Sequence, residues 1–163
     1  MRMASLLLGV MLALVQAAVI PEDDYDDWSL SCPYGWTMYR TRCLLYVPRN
    51  MTWTQAEEHC KAMEGTLASV YDAGHAKEIR EQMQSFGESH GKVWVGGHNT
   101  PENPSWSWSD FLGVHQFTQF CGGQSAKNEH HCLQLTFAET GSGCLDYMHC
   151  DAELPSVCSI VLM

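Results

Sequence analysis

The chain has 163 residues, 19 acidic against 9 basic side chains and a formal net charge of −10. Such a chain repels nucleic acid and anionic membranes, because both carry negative charge themselves. Its eight cysteines, an even number placed behind an apolar leader, point to a disulfide framework made outside the reducing cytosol.

Met1 to Ala17 has the parts of a signal peptide: the positive charge of Arg2, an apolar run from Leu6 to Val15, and small or aliphatic residues at Val15 and Ala17. The run falls short of the roughly 20 apolar residues needed to span a bilayer. Residues 1–17 are therefore expected to be removed from a secreted, extracellular protein. Loss of Arg2 leaves eight basic residues against nineteen acidic ones, a net charge of −11 on a chain long enough for one domain. Residues 18–31 read as an acidic N-terminal tail. The block Glu22-Asp23-Asp24-Tyr25-Asp26-Asp27 repels itself and offers little to bury, so it suits a solvated spacer. Its acidic flanks would also favour sulfation of Tyr25.

The domain is expected over residues 32–163. Asn50-Met51-Thr52 is an N-glycosylation sequon, with Asn50 as acceptor. Thr52 and Gln55 form a capping-box pattern that starts a helix. Trp53, Ala56, Cys60 and Met63 recur at helical spacing, and Gly65 is positioned for a left-handed stop. A second helix begins near Asp72, carries Ala76, Ile79, Met83 and Phe86 at the same spacing, and ends at Gly87. Strand patterns follow at Val93-Trp94-Val95, Trp106-Ser107-Trp108-Ser109, Leu133 to Phe137 and Val157 to Val161. Between Asp110 and Cys132 lies a long stretch of weak periodicity holding Gly113, Gly122 and Gly123. Loops of that length in a small domain are functional or pinned by crosslinks, and Cys121 is available to pin this one.

Reactive constellations are sparse. His131 and His149 directly precede Cys132 and Cys150. If those cysteines are bonded, the histidines share neighbouring backbone, where His130 or Asp151 could join them around zinc; solvated surface histidines are the commoner reading. Nothing sets a serine on a strained turn or beside a base, and no glycine-rich phosphate loop follows a strand. The chain reads as a non-enzyme. Trp94, Trp106 and Trp108 alternate as core residues do, rather than as sugar-stacking platforms.

Taken in order, these residues resemble the C-type lectin-like family over nearly all of residues 32–163. Cys32-Pro33-Tyr34-Gly35-Trp36 is similar to the opening of the long form of that domain, and Thr52-Trp53-Thr54-Gln55-Ala56-Glu57…Cys60 to its first helix. Gly65 to Ser69 is similar to the strand that follows. Val93-Trp94-Val95-Gly96-Gly97 stands where the family has its Trp-Ile-Gly-Leu motif, and Trp106 to Asp110 continues it. The short format is similar to secreted fish lectins of the ladderlectin and nattectin kind and to type II fish antifreeze proteins. The resemblance implies an α+β fold, with two helices, small antiparallel sheets and a long loop region stapled by disulfides. It implies the pairs Cys32–Cys43, Cys60–Cys158 and Cys132–Cys150, which leaves Cys121 and Cys144 for each other. Spacing alone leaves about 105 connectivities open.

The resemblance also locates a ligand region. In sugar-binding members a calcium ion bridges protein oxygens and sugar hydroxyls, and calcium takes six to eight oxygen ligands. The family's first ligand tripeptide falls on Gln124-Ser125-Ala126 and its last on Leu145-Asp146-Tyr147. Gln124, Asn128, Glu129, Asp146 and Tyr147 are thus the candidate ligand-binding residues. Ala126 and Tyr147 replace carboxylates, and Ser125 replaces a shaping proline. No cofactor is therefore expected, calcium included. The expected activity is recognition of glycans or glycoproteins, including those of microbial surfaces. An ice-binding role of the type II antifreeze kind is the alternative, and a protein-binding domain without a glycan ligand is the third.

Overall fold

The computed structural model describes residues 31–102, 105–110, 120–122, 131–139 and 141–162. Strands β1 (Thr37–Met38) and β2 (Arg42–Met51) lead into helix α1 (Trp53–Ala62) and strand β3 (Thr66–Leu67). Helix α2 (Ala73–Ser85) follows, then β4 (Gly91–His98), β5 (Ser107–Trp108), β6 (Cys132–Phe137), β7 (Cys144–Met148) and β8 (Leu154–Val161). The strands join in one sheet of order β1-β2-β8-β4-β6-β7, with β3 on β8 and β5 on β4. The pairs are antiparallel except that β4 meets β8 in parallel through Trp94 and Ser156. The sheet is therefore mixed rather than purely antiparallel. The longest strand, β2, runs against β8 from Arg42↔Val161 to Val47↔Ser156, then shifts register before Met51↔Leu154. Pro48 lies in that shift; it has no N–H to give to a ladder, which explains the break.

Alternation along the strands gives the sheet two buried faces. On one, Leu44, Val93, Val95, Leu133, Leu135 and Val157 pack with Ala76, Ile79 and Met83 of α2. On the other, Leu67, Trp94, Cys132 and Cys158 pack with Ala56 and Cys60 of α1. Each fully buried aliphatic side chain contributes about 1.5–3 kcal/mol. Trp94 and Trp108 are core residues, as their alternation suggests, and the Trp94 indole N–H donates to the Met51 carbonyl at 2.9 Å. The Trp106–Ser109 pattern forms a strand only at Ser107–Trp108.

The capping box forms as read: the Gln55 N–H donates to Thr52 Oγ1 at 3.2 Å, and the Thr52 N–H donates to Gln55 Oε1 at 3.1 Å. The α1 stop differs from expectation. Glu64, not Gly65, holds the left-handed conformation, with φ 65°. Gly65 is needed for another reason, because a Cβ there would stand 2.6 Å from the Ser159 carbonyl oxygen. Helix α2 begins at Asp72, whose carboxylate accepts the His75 N–H at 2.8 Å, and it stops at Gly87, φ 88°. Four disulfides close the chain: Cys32–Cys43, Cys60–Cys158, Cys121–Cys144 and Cys132–Cys150. All eight cysteines are thereby used.

Candidate functional site

The ligand region implied by the family resemblance falls partly on the β6–β7 ribbon. Its register sets Leu133 opposite Tyr147 and Gln134 opposite Asp146, and the Cys132–Cys150 bond closes one end. The Cys121–Cys144 bond ties Cys121 to the start of β7, and the Cys121 N–H donates to the Leu145 carbonyl at 2.8 Å. Of the five candidate residues, Asp146 and Tyr147 lie here. Gln124, Asn128 and Glu129 lie outside the described residues, as do Ser125 and Ala126.

Asp146 and Tyr147 are consecutive in a strand and so turn to opposite faces. The Asp146 Oδ1 accepts the N–H of Tyr147 at 2.9 Å. The Tyr147 ring packs on the core face beside Leu145 and meets the His131 ring edge-on, with centroids 5.2 Å apart. The position that resembles a family carboxylate thus holds an aromatic ring engaged with the fold, and it presents no anionic oxygen. His131 is itself held by Asn99, whose Oδ1 accepts the His131 N–H at 2.7 Å and whose N–H donates to the His131 carbonyl at 3.1 Å. Asn99 and Gln134 are buried to 2% and 1% exposure, which is uncommon for amides and marks this end of the sheet as polar inside.

The histidines of the sequence reading do come together: His131 and His149 have ring centroids 5.7 Å apart. Asp151 does not complete a cluster with them. It lies in the turn closed by the Ala152 N–H on the His149 carbonyl, and among the described residues no group of three or more His, Cys, Asp or Glu is placed around a metal position. His130 lies outside the described residues. Asn50 is exposed, while the Thr52 hydroxyl of its sequon is engaged by the Gln55 N–H.

A second polar site was not legible in the sequence. Arg42, 2% exposed, reaches from β2 under the start of α2. Its Nε meets Glu78 Oε2 at 3.3 Å, and its Nη1 donates to the Ser69 carbonyl at 2.7 Å. Burial lowers its pKa, and Glu78 opposes that shift. Tyr71, Asp72, His75 and Asp110 share with it the wall of a cavity of about 620 Å³. The Asp72 carboxyl is held below its ordinary range chiefly by the hydrogen bond from the His75 backbone. Burial first, then the Arg42 charge, lower the His75 pKa against the opposing pull of Asp72 and Asp110. The only signal available in the sequence was a basic residue entering the apolar run Cys43-Leu44-Leu45.

The sequence pattern of the lectin C-type domain matches residues 49–160. The chain belongs to the C-type lectin domain family. Among relatives of this lectin-type chain, the type-2 ice-structuring protein of Hemitripterus americanus is 33% identical over 134 residues, covering 80% of this chain and 75% of that protein. The galactose-specific lectin nattectin of Thalassophryne nattereri is 28% identical over 109 residues, covering 66% of this chain and 68% of that one. Among solved structures, a calcium-independent type II antifreeze protein superposes with a TM-score of 0.69 at 29% identity, covering 82% of this chain and 97% of the other. The C-type lectin fold expected from the sequence is thus shared with these proteins. No helix among the described residues is long and apolar enough to cross a membrane.

Proposed function

We propose that the chain is a secreted lectin-like binding protein that recognises glycans without a calcium bridge, and that it catalyses no reaction. The observation that carries this reading is Tyr147. Calcium bound by the family's scheme needs anionic oxygens at the end of β7. Here Tyr147 offers a phenol whose ring packs on His131 and the core, and Asp146 spends one oxygen on the Tyr147 N–H. Ligands would then engage polar side chains directly, through the candidate residues Gln124, Asn128, Glu129 and Asp146. The similarity to nattectin, named as a galactose-specific lectin, supports a sugar ligand. Residues 1–17 act as signal peptide, residues 18–31 as a solvated acidic tail, and the exposed Asn50 as a glycosylation site. The net negative charge disfavours nucleic acid and anionic membrane as partners.

A second reading is ice binding. The observations that favour it are the 33% identity to a type-2 ice-structuring protein and the superposition on a calcium-independent antifreeze protein. A glycan array and a thermal-hysteresis measurement on the same purified protein separate the two. Binding to one class of sugars with no hysteresis supports the lectin reading. Hysteresis with a silent array replaces it by ice binding, and a negative result in both leaves a protein ligand.

A further inference from the structure

One pair of side chains outside the calcium-type ligand set lies at a spacing that two imidazoles on one metal ion would have. His131 directly precedes β6 and His149 directly follows β7. The pairing Cys132↔Met148 sets the two histidines across from each other, and the Cys132–Cys150 bond beside them holds the strands at that spacing. Their ring centroids are 5.7 Å apart and their planes are inclined by 39°. Two imidazoles bound to one ion through nitrogens at about 2.0–2.1 Å, at tetrahedral or wider angles, have centroids roughly 5–6 Å apart. The observed spacing falls in that range before any ion is bound. His131 is positioned by both backbone hydrogen bonds to Asn99 and by the edge of Tyr147, whereas His149 is exposed and free to adjust. The backbone of one ligand is thus held in place, and the exposed side chain of the other can adjust to an ion.

We propose that His131 and His149 bind one first-row transition-metal ion of the zinc or copper class, with water filling the other positions. Imidazole nitrogen suits these ions, whereas calcium takes oxygen, so this is a different site with a different ion from the one implied by the family's sugar-binding scheme. Among the described residues no third His, Cys, Asp or Glu joins the pair, so the protein supplies two ligands. Thiols do not compete, because every cysteine is in a disulfide. The strongly acidic chain raises the local concentration of cations. The proposal is independent of whether the loop region binds a glycan.

The test uses the secreted, disulfide-intact protein, titrated with zinc and with copper ions by calorimetry, while the imidazole proton signals are followed by NMR. The expected result is one strongest equivalent of metal, with His131 and His149 shifting first among the eight histidines. His149→Gln changes an exposed side chain and should fold normally; it should weaken that equivalent at least about tenfold. Wild-type affinity retained in His149→Gln, other histidines shifting first, or no metal uptake at neutral pH would each overturn the assignment.

Discussion

The Tyr71 hydroxyl donates to Asp110 Oδ1 at 2.5 Å, tying the turn ahead of α2 to the end of the segment that follows β5. The partners are 39 residues apart in the chain, so the bond holds Asp110 on the Arg42 network rather than on its own neighbours. Tyr71→Phe removes a donor and leaves a part-buried carboxylate without it. The expected loss is about 1–3 kcal/mol by urea unfolding. A loss within error of zero would show that the bond does not stabilise the fold.

The same network gives a pH dependence. The Tyr71 N–H donates to His75 Nδ1 at 3.2 Å, which requires that nitrogen to be unprotonated. Arg42, Asp72 and Asp110 surround the ring, and Glu78 pairs with Arg42. Burial and the Arg42 charge hold the folded pKa below the ordinary 6.5. The unfolded chain therefore binds the proton more readily, and stability rises with pH. The contribution is fully present above about pH 6.5 and is lost as pH falls through the lower folded value. The Asp72 contribution, also from a lowered pKa, is lost only in the more acid range below the carboxylate value of 3.8. His75→Asn retains an acceptor oxygen and does not titrate. The urea midpoint of the wild type should fall between neutral pH and about pH 5, and that fall should shrink in His75→Asn. Equal slopes in the two proteins would rule out His75 as the source.

Glu64 and Gly87 hold the same position in the same helix-ending motif. After α1, the Gly65 N–H reaches the Cys60 carbonyl at 2.9 Å and the Glu64 N–H reaches Lys61 at 3.0 Å. After α2, the Glu88 N–H reaches Met83 and the Gly87 N–H reaches Gln84, both at 3.0 Å. The left-handed residue is glutamate in one and glycine in the other. A side chain in that conformation costs roughly 1–2 kcal/mol, partly offset by the greater freedom of glycine when unfolded. Glu64→Gly should therefore stabilise the protein by about 0.5–1 kcal/mol, and Gly87→Ala should destabilise it by about 1 kcal/mol. Opposite signs in thermal melts would contradict the shared motif.

These two endings show what the sequence could and could not reveal. The capping box of Thr52 and Gln55 was legible because its partners are three residues apart. Gly65 misled because a glycine after a helix suggests a left-handed stop, whereas here it admits the Ser159 carbonyl, a neighbour 94 positions along the chain. Strand β2 was hidden by Pro48, which reads as punctuation but sits in a register shift. Arg42 was hidden because its partners Ser69, His75 and Glu78 are 27, 33 and 36 residues away. The disulfide pairs came from the resemblance to the family, since spacing could not choose among them. At the site, the family resemblance set Tyr147 where a carboxylate is expected but gave nothing of the packing of its ring on His131, which depends on the β6–β7 register.

Gly97 in β4 lies against β6, close to the ligand region. A Cβ there would stand 2.3 Å from Leu133 Cδ1 and 2.9 Å from its Cγ. Leu133 is 1% exposed and has little room to retreat. Gly97→Ala should cost about 1–3 kcal/mol in chemical unfolding. Wild-type stability would show that Leu133 can repack.

The measurement closest to the central claim is glycan affinity with and without calcium. The sugar that gives the strongest array signal is titrated into the protein in millimolar calcium and again in excess chelator, with melting temperature recorded in both. A ligand raises the melting temperature only when its concentration exceeds its dissociation constant. With the Tyr147 ring packed on His131 where a carboxylate would be needed, affinity and melting temperature should be the same in both buffers. Loss of glycan binding on chelation, together with a melting temperature raised by calcium, would contradict the account and return the loop to a calcium-bridged mode.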